Sequence, residues 1–320
     1  MFNWNKLGKV FTPQAVTGRP WLQEFAQAPA TLVLEDVVRV YFSCRPGPDE
    51  RGQYVSHSAY VDLDRKNLLK IRSIADNPIM PLGGLGTFDE FGVYPVSVIR
   101  DGEFIRAYYG GWTRCESNPY TVAIGTAVSR DDGKTFTRLG PGPLLAPTPN
   151  EPFVLSGPKI RRFNDQWLLW YVAGVGWMPN AGRVESIYKI RMARSHDGLN
   201  WVRTGRDILE SRLEENECQA SPDVIYRAGR YHMFFSYKYG VDFRNSARGY
   251  RIGYAYSDDL ESWVRDDEKA GIDVSTTGWD SESIAYPHVF DLDGTVYMLY
   301  LGNQVGRGGF GLAQLNGDLR

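Results

Sequence analysis

Short apolar runs with turn residues between them fill this chain, and they recur in sets of four. Each set is paced by a proline. Pro29, Pro95, Pro158, Pro222 and Pro287 stand 66, 63, 64 and 65 residues apart. An apolar segment follows each proline, and a second run follows that segment: Arg39–Cys44, Ile105–Tyr109, Trp167–Val172, Tyr231–Ser236 and Val296–Tyr300. A third run carries an alanine in every copy (Ala59, Ala127, Ala193, Ala255 and Ala313), and a fourth opens at an aromatic residue after a turn. Four short β-rich runs per repeat of this length predict propeller blades. The pattern is that of an all-β protein, a five-bladed β-propeller with four-stranded blades, occupying residues 1–320 as a single domain.

The fifth repeat stops after Phe310–Leu315 without its fourth run, while Asn3–Phe11 reads like Asn200–Ile208 and Thr135–Gly140. The N-terminal strand is therefore expected on the outer edge of the last blade, where it pairs backbone groups that would otherwise be open. The repeated alanines let neighbouring sheets approach. The turns Ser129–Phe136, Ser195–Trp201 and Ser257–Trp263 fit the Asp-box pattern familiar from sialidases. Their aspartates are expected to bond their own hairpins rather than to do chemistry.

Composition narrows the function. A formal charge of −2 offers no basic surface for nucleic acid. No apolar run approaches the ~20 residues that span a bilayer. Cys44, Cys115 and Cys218 are odd in number and lack metal-ligand spacing, so neither a disulfide framework nor a metal site is expected from them. Met1–Lys6 contains no signal-like apolar segment. A cytoplasmic protein with no nucleic-acid or membrane partner is the resulting expectation.

A propeller gathers the starts of its inner strands around one axis, so the segments before the prolines should share the mouth of a central channel. Five residues before the proline stand Glu24, Glu90, Glu217 and Glu282, a glutamate in four of the five copies, with Asp89, Glu151 and Asp280 nearby. Crowded carboxylates separate their pKa values into acid and base roles, as glycosidic cleavage requires. Glu217, Asp89, Glu24 and Glu282 are the catalytic candidates; the other reading is that such acids merely bond local groups in each repeat. Loops between the second and third runs open on the same face and carry Trp112, Arg114, Trp177, Arg183 and Arg307. Tryptophan can stack on a sugar, and arginine forks bind carboxylate or phosphate. Tyr94, Tyr286 and His288 flank the inner-strand prolines and complete the substrate-binding candidates.

At Glu217–Ile225, Gly229–Ser236 and Ala255–Trp263 the chain resembles the five-bladed-propeller glycosidases: glycoside hydrolase family 43, the invertase-like families and the mannoside phosphorylases. The resemblance extends over all five repeats. It implies an oligosaccharide or glycoside substrate, a general acid at Glu217 and a general base at Glu24. The relatives set their base directly before a proline, whereas here those positions are Ala28, Tyr94, Gly157, Ser221 and Tyr286. Either the carboxylates come from longer entry segments or the triad has gone, leaving a sugar-binding propeller. Phosphate or a nucleotide sugar in place of water is the further alternative. No cofactor is expected, apart from the channel calcium that some relatives hold beside a blade-five histidine, for which His288 is the one match.

Overall fold

A computed structural model describes all 320 residues as five four-stranded antiparallel sheets arranged in a ring. Strand β1 (Trp4–Phe11) opens the chain. Blade one holds β2 (Glu24–Val33), β3 (Val37–Arg45), β4 (His57–Asp64) and β5 (Asn67–Ile74). Blade two holds β6 (Gly92–Asp101), β7 (Phe104–Thr113), β8 (Thr121–Ser129) and β9 (Thr137–Arg138). Blade three holds β10 (Leu155–Phe163), β11 (Gln166–Asn180), β12 (Arg183–Ser195) and β13 (Val202–Arg203). Blade four holds β14 (Cys218–Arg227), β15 (Arg230–Lys238), β16 (Arg251–Ser257) and β17 (Val264–Arg265). Blade five holds β18 (Ala285–Leu292), β19 (Thr295–Leu301) and β20 (Phe310–Leu315), and β1 completes it by pairing antiparallel with β20.

The apolar cores lie between blades. Five buried clusters occupy the five blade–blade contacts, and the largest, with 21 residues, joins blade five to blade one. That cluster includes Val10 and Phe11 of β1. The closing strand thus contributes packing as well as hydrogen bonds. All five repeated alanines are completely buried on their third strands, where a larger side chain would meet the next sheet. The Asp-box turns are self-contained: Ser129 Oγ donates to Asp131, which accepts from the amides of Lys134 and Thr135, and Ser195–Asp197 and Ser257–Asp259 repeat the arrangement. No helix is long and apolar enough to cross a membrane.

Candidate active site

Each inner strand slips register across its proline, between Gln27 and Ala30, Val93 and Val96, Ser156 and Lys159, Ala220 and Asp223, and Ala285 and His288. The residue before the proline is left-handed in four blades, with φ of 52° at Ala28, 58° at Gly157, 48° at Ser221 and 52° at Tyr286, while Tyr94–Pro95 is cis. Left-handed backbone costs a non-glycine residue about 1 kcal/mol or more and is held only where the surroundings fix it. The bulges place Tyr94, Gly157, Ser221 and Tyr286 in the wall of one cavity at the channel mouth.

That cavity has two lobes. The first, about 540 Å³, is faced by the rings of Tyr94, Trp112, Tyr120, Tyr188 and Tyr286 and by Arg45 and Arg114, with no aspartate or glutamate in its wall. The second, about 520 Å³, shares Arg45, Tyr120, Tyr188 and Tyr286 and adds Glu185, Lys238, Arg244, Glu282 and Arg307. Trp112 lies flat over Gly92, where any Cβ would overlap its indole. Arg114 stacks 4.2 Å from the Phe91 ring centroid and donates to the Tyr54 carbonyl at 3.1 Å. Tyr188 and Tyr250 share a 2.6 Å hydroxyl contact. Burial raises Tyr94, Tyr188, Tyr250 and Tyr286 well above the usual phenol range, so all four remain protonated donors.

The structure brings Tyr94, Trp112, Arg114, Tyr286, Arg307 and Glu282 to the cavity. Glu24 sits at its edge, bonded to Arg307 at 2.7 Å and to Tyr54 at 3.1 Å. The Arg307 hydrogen bond, opposed by burial and helped by Tyr54, holds its carboxyl below the usual range. Glu282 is exposed and has no cation within 4.0 Å. Trp177 packs edge-on against Tyr120 at 5.4 Å without entering the wall of either lobe. Arg183, near the tip of the β11–β12 hairpin, lines a shallow depression beside them.

Glu217 and Asp89 are placed elsewhere. Four blades repeat one clamp, in which the acid before the inner strand pairs with a base on the outermost strand. Asp89 meets Arg138 at 2.7 Å, Glu151 meets Arg203 at 2.7 Å, Glu217 meets Arg265 at 2.6 Å and Asp280 meets Lys6 at 2.7 Å. In three of them a tyrosine hydroxyl donates as well: Tyr109, Tyr171 and Tyr300. Every base stands opposite the repeated alanine of its blade, as Ala127↔Arg138, Ala193↔Arg203, Ala255↔Arg265 and Ala313↔Lys6. Blade one buries Leu22 and Phe42 in its core instead. Glu217 has no exposed surface and also accepts from Gln219 and the amides of Arg212 and Leu213, each at 2.9 Å. Burial would raise its pKa, but Arg265, Gln219 and the Arg212 amide together hold it below the usual range. A proton donor needs the opposite shift and access to substrate. The recurrence of acids, taken as convergence on a site, is for Asp89 and Glu217 the tying of each blade to its own edge.

His288 lies below the cavity, within the channel. Lys159, Asp223 and His288, each directly after an inner-strand proline, form a buried ionic cluster there. Asp223 accepts from His288 Nδ1 at 2.5 Å, stands 3.5 Å from Lys159 Nζ and is paired with Arg161. The Thr31 amide donates to His288 Nε2 at 2.9 Å, which makes Nε2 the acceptor and Nδ1 the protonated nitrogen of a neutral ring. Burial, opposed by Asp223, holds the imidazole down at about 4. Asp223 is lowered far below the carboxylate range, its burial outweighed by Arg161, His288 and Lys159. The calcium expectation fails on donor chemistry here. Calcium takes six to eight oxygen ligands, whereas both His288 nitrogens are engaged and the Lys159 amine stands 3.5 Å from Nδ1. Asp223 and Lys159 escaped the sequence reading. Their signal was a charged residue directly after an inner-strand proline.

No family model matches the chain. It is 36% identical over 315 residues to the uncharacterized protein Rv1502 of Mycobacterium tuberculosis, covering 98% of this chain and 99% of that one. It is 23% identical over 220 residues to a 1,2-beta-oligomannan phosphorylase of a Thermoanaerobacter species, covering 68% of this chain and 66% of the relative. A solved glycoside hydrolase superposes with a TM-score of 0.74 at 18% identity, over 97% of this chain and 91% of that chain. The chain belongs to the same family as Rv1502, and its fold is that of the five-bladed-propeller glycosidases and mannoside phosphorylases.

Proposed function

We propose that this protein is a carbohydrate-active enzyme that acts on the glycosidic bond of an oligosaccharide or glycoside bound at the channel mouth. The observation that carries the reading is the two-lobed cavity, walled by aromatic faces and hydrogen-bonding forks from all five blades. Trp112 would stack on the sugar, and Arg114, Ser156 and Ser221 would bond its hydroxyls. Glu24, kept ionised by Arg307, would accept the proton of the attacking group. Glu282 would protonate the leaving oxygen, being the cavity carboxyl without a cation.

One observation favours a second reading, in which phosphate or a nucleotide sugar replaces water. Arg45 lines both lobes and pairs with no carboxylate within 4.0 Å. The named relative acts on 1,2-beta-oligomannan, which makes that glycan the first substrate to test. Product release should be followed with and without inorganic phosphate. Glu24→Gln is expected to lower kcat/KM by about 10²-fold or more, as loss of a general base does, and Trp112→Ala to raise KM. Phosphate-dependent release selects the phosphorylase reading. Unchanged turnover in Glu24→Gln would remove that residue from the mechanism. Binding without product from any glycoside leaves a non-catalytic sugar-binding propeller.

A further inference from the structure

The second lobe carries positive charge that its own carboxylates do not cancel. Four cationic side chains line it: Arg45, Lys238, Arg244 and Arg307. Arg244 is spent on Glu185, and Arg307 on Glu24. Arg45 and Lys238 have no carboxylate within 4.0 Å, and the remaining acid, Glu282, is exposed at the rim. Arg45 pairs across the strands with Glu24, yet its guanidinium makes no hydrogen bond. It rests over Phe25 at 4.6 Å and Tyr54 at 5.4 Å, half-buried, with its donors turned to the two lobes.

Lys238 is 1% exposed, at the end of β15. Its amine sits 3.5 Å from the Phe243 ring centroid, with Tyr188 at 5.4 Å and Tyr250 at 5.7 Å. Its one oxygen partner is the Tyr239 carbonyl at 3.2 Å. Burial pulls its pKa below the ordinary lysine value, opposed mainly by Cys218 and then by Glu185. A buried cation held by ring faces and one carbonyl keeps most of its field, because the surroundings are poorly polarisable. That field falls on the lobe whose wall it forms.

We infer that the second lobe is an oxyanion subsite, taking a carboxylate or phosphate group. The fork of Arg45 grips the oxyanion and Lys238 supplies uncompensated charge in the floor. Planar bidentate contact suits Arg45, and the phenols of Tyr188 and Tyr286 add protonated donors. The subsite rests on the sugar-site reading only in assigning the first lobe to the neutral portion of the substrate. Its oxyanion has two sources, an acidic group on the sugar or free phosphate.

Calorimetry on the full chain distinguishes them, with glucuronate, inorganic phosphate and neutral glucose as probes. Glucuronate or phosphate is expected to bind, with affinity falling about tenfold or more in Arg45→Gln, the loss of a charge-assisted bond. Lys238→Met is expected to weaken binding less and to flatten its salt dependence. Preference for glucuronate assigns an acidic substrate, and preference for phosphate assigns the free ion. Arg230→Gln, which removes a surface pair with Asp258, serves as the control and should bind like the parent. Equal binding in Arg45→Gln and the parent, or no oxyanion binding at all, overturns the subsite. Should Lys238→Met fail to fold, Arg45→Gln alone decides. Oxyanion binding that depends on Arg45, in a protein that cleaves no glycoside, keeps the subsite and discards the catalytic reading.

Discussion

His288 illustrates how a side chain can be legible by position and misread by role. Its place after an inner-strand proline put it in the channel, and the structure keeps it there, but as a neutral ring wedged between the Thr31 amide and the Asp223 carboxylate. Its pKa falls from 6.5 to about 4, so an unfolded chain takes up the proton first as the solution is acidified. Stability should therefore be lost as pH drops from about 6.5 to about 4, by about 3 kcal/mol for a shift of this size. Urea midpoints measured across that interval should slope downward, and His288→Gln should flatten the slope. Some slope should remain, because burial also lowers His57 and His232. Asp223 and Glu217, whose folded pKa values are depressed, act in a lower window: their contribution is present above about pH 4 and fades beneath it.

Among elements, the entry segments before the inner strands divide into two classes that sequence spacing did not separate. The residues just before the prolines were expected at the channel mouth; Tyr94 and Tyr286 are there because a register slip turns them inward. Whereas Glu24 and Glu282 stay with the cavity, Asp89, Glu151, Glu217 and Asp280, five to seven positions before their prolines, pair the other way, with bases on the outer strand. Their partners Arg138, Arg203, Arg265 and Lys6 were visible in the sequence, but only the strand register reveals that each faces an alanine on the blade edge. Glu217→Gln tests the distinction. It leaves Arg265, 4% exposed, with Asp267 as its remaining carboxylate. Breaking a buried pair from one side costs about 3–5 kcal/mol, and sharing with Asp267 should keep the loss near the lower end. Thermal unfolding should report that loss while kcat stays within about twofold of the parent once both are folded, since each 1.36 kcal/mol in a barrier is tenfold. A large fall in kcat with unchanged stability would return Glu217 to the chemistry.

For the whole molecule, proline spacing and repeated alanines were enough to predict the ring, because a propeller's periodicity is written directly into its chain. The channel cluster was not legible: Lys159, Asp223 and His288 lie far apart in sequence and meet only around the axis. Closure was legible from the missing fourth run, and the structure adds that its contact holds the largest apolar core. Removing residues 1–11 takes away Val10 and Phe11 from that core, Trp4 from the next and the hydrogen-bonding partner of β20. The truncated protein should unfold at lower urea and associate through its bare edge. Size-exclusion profiles and urea midpoints equal to those of the full chain would contradict the role assigned to this strand.

The pairing of β1 with β20 also has a consequence for biosynthesis. A ribosome delivers β1 before all four complete blades and β20 after them, so the opening strand must wait, unpartnered, while those blades are made. During that interval nascent blades can stack in succession, but the circle stays broken and its first interface half-built. Closure of the circle therefore cannot precede synthesis of β20, and until then the waiting segment is an open strand edge.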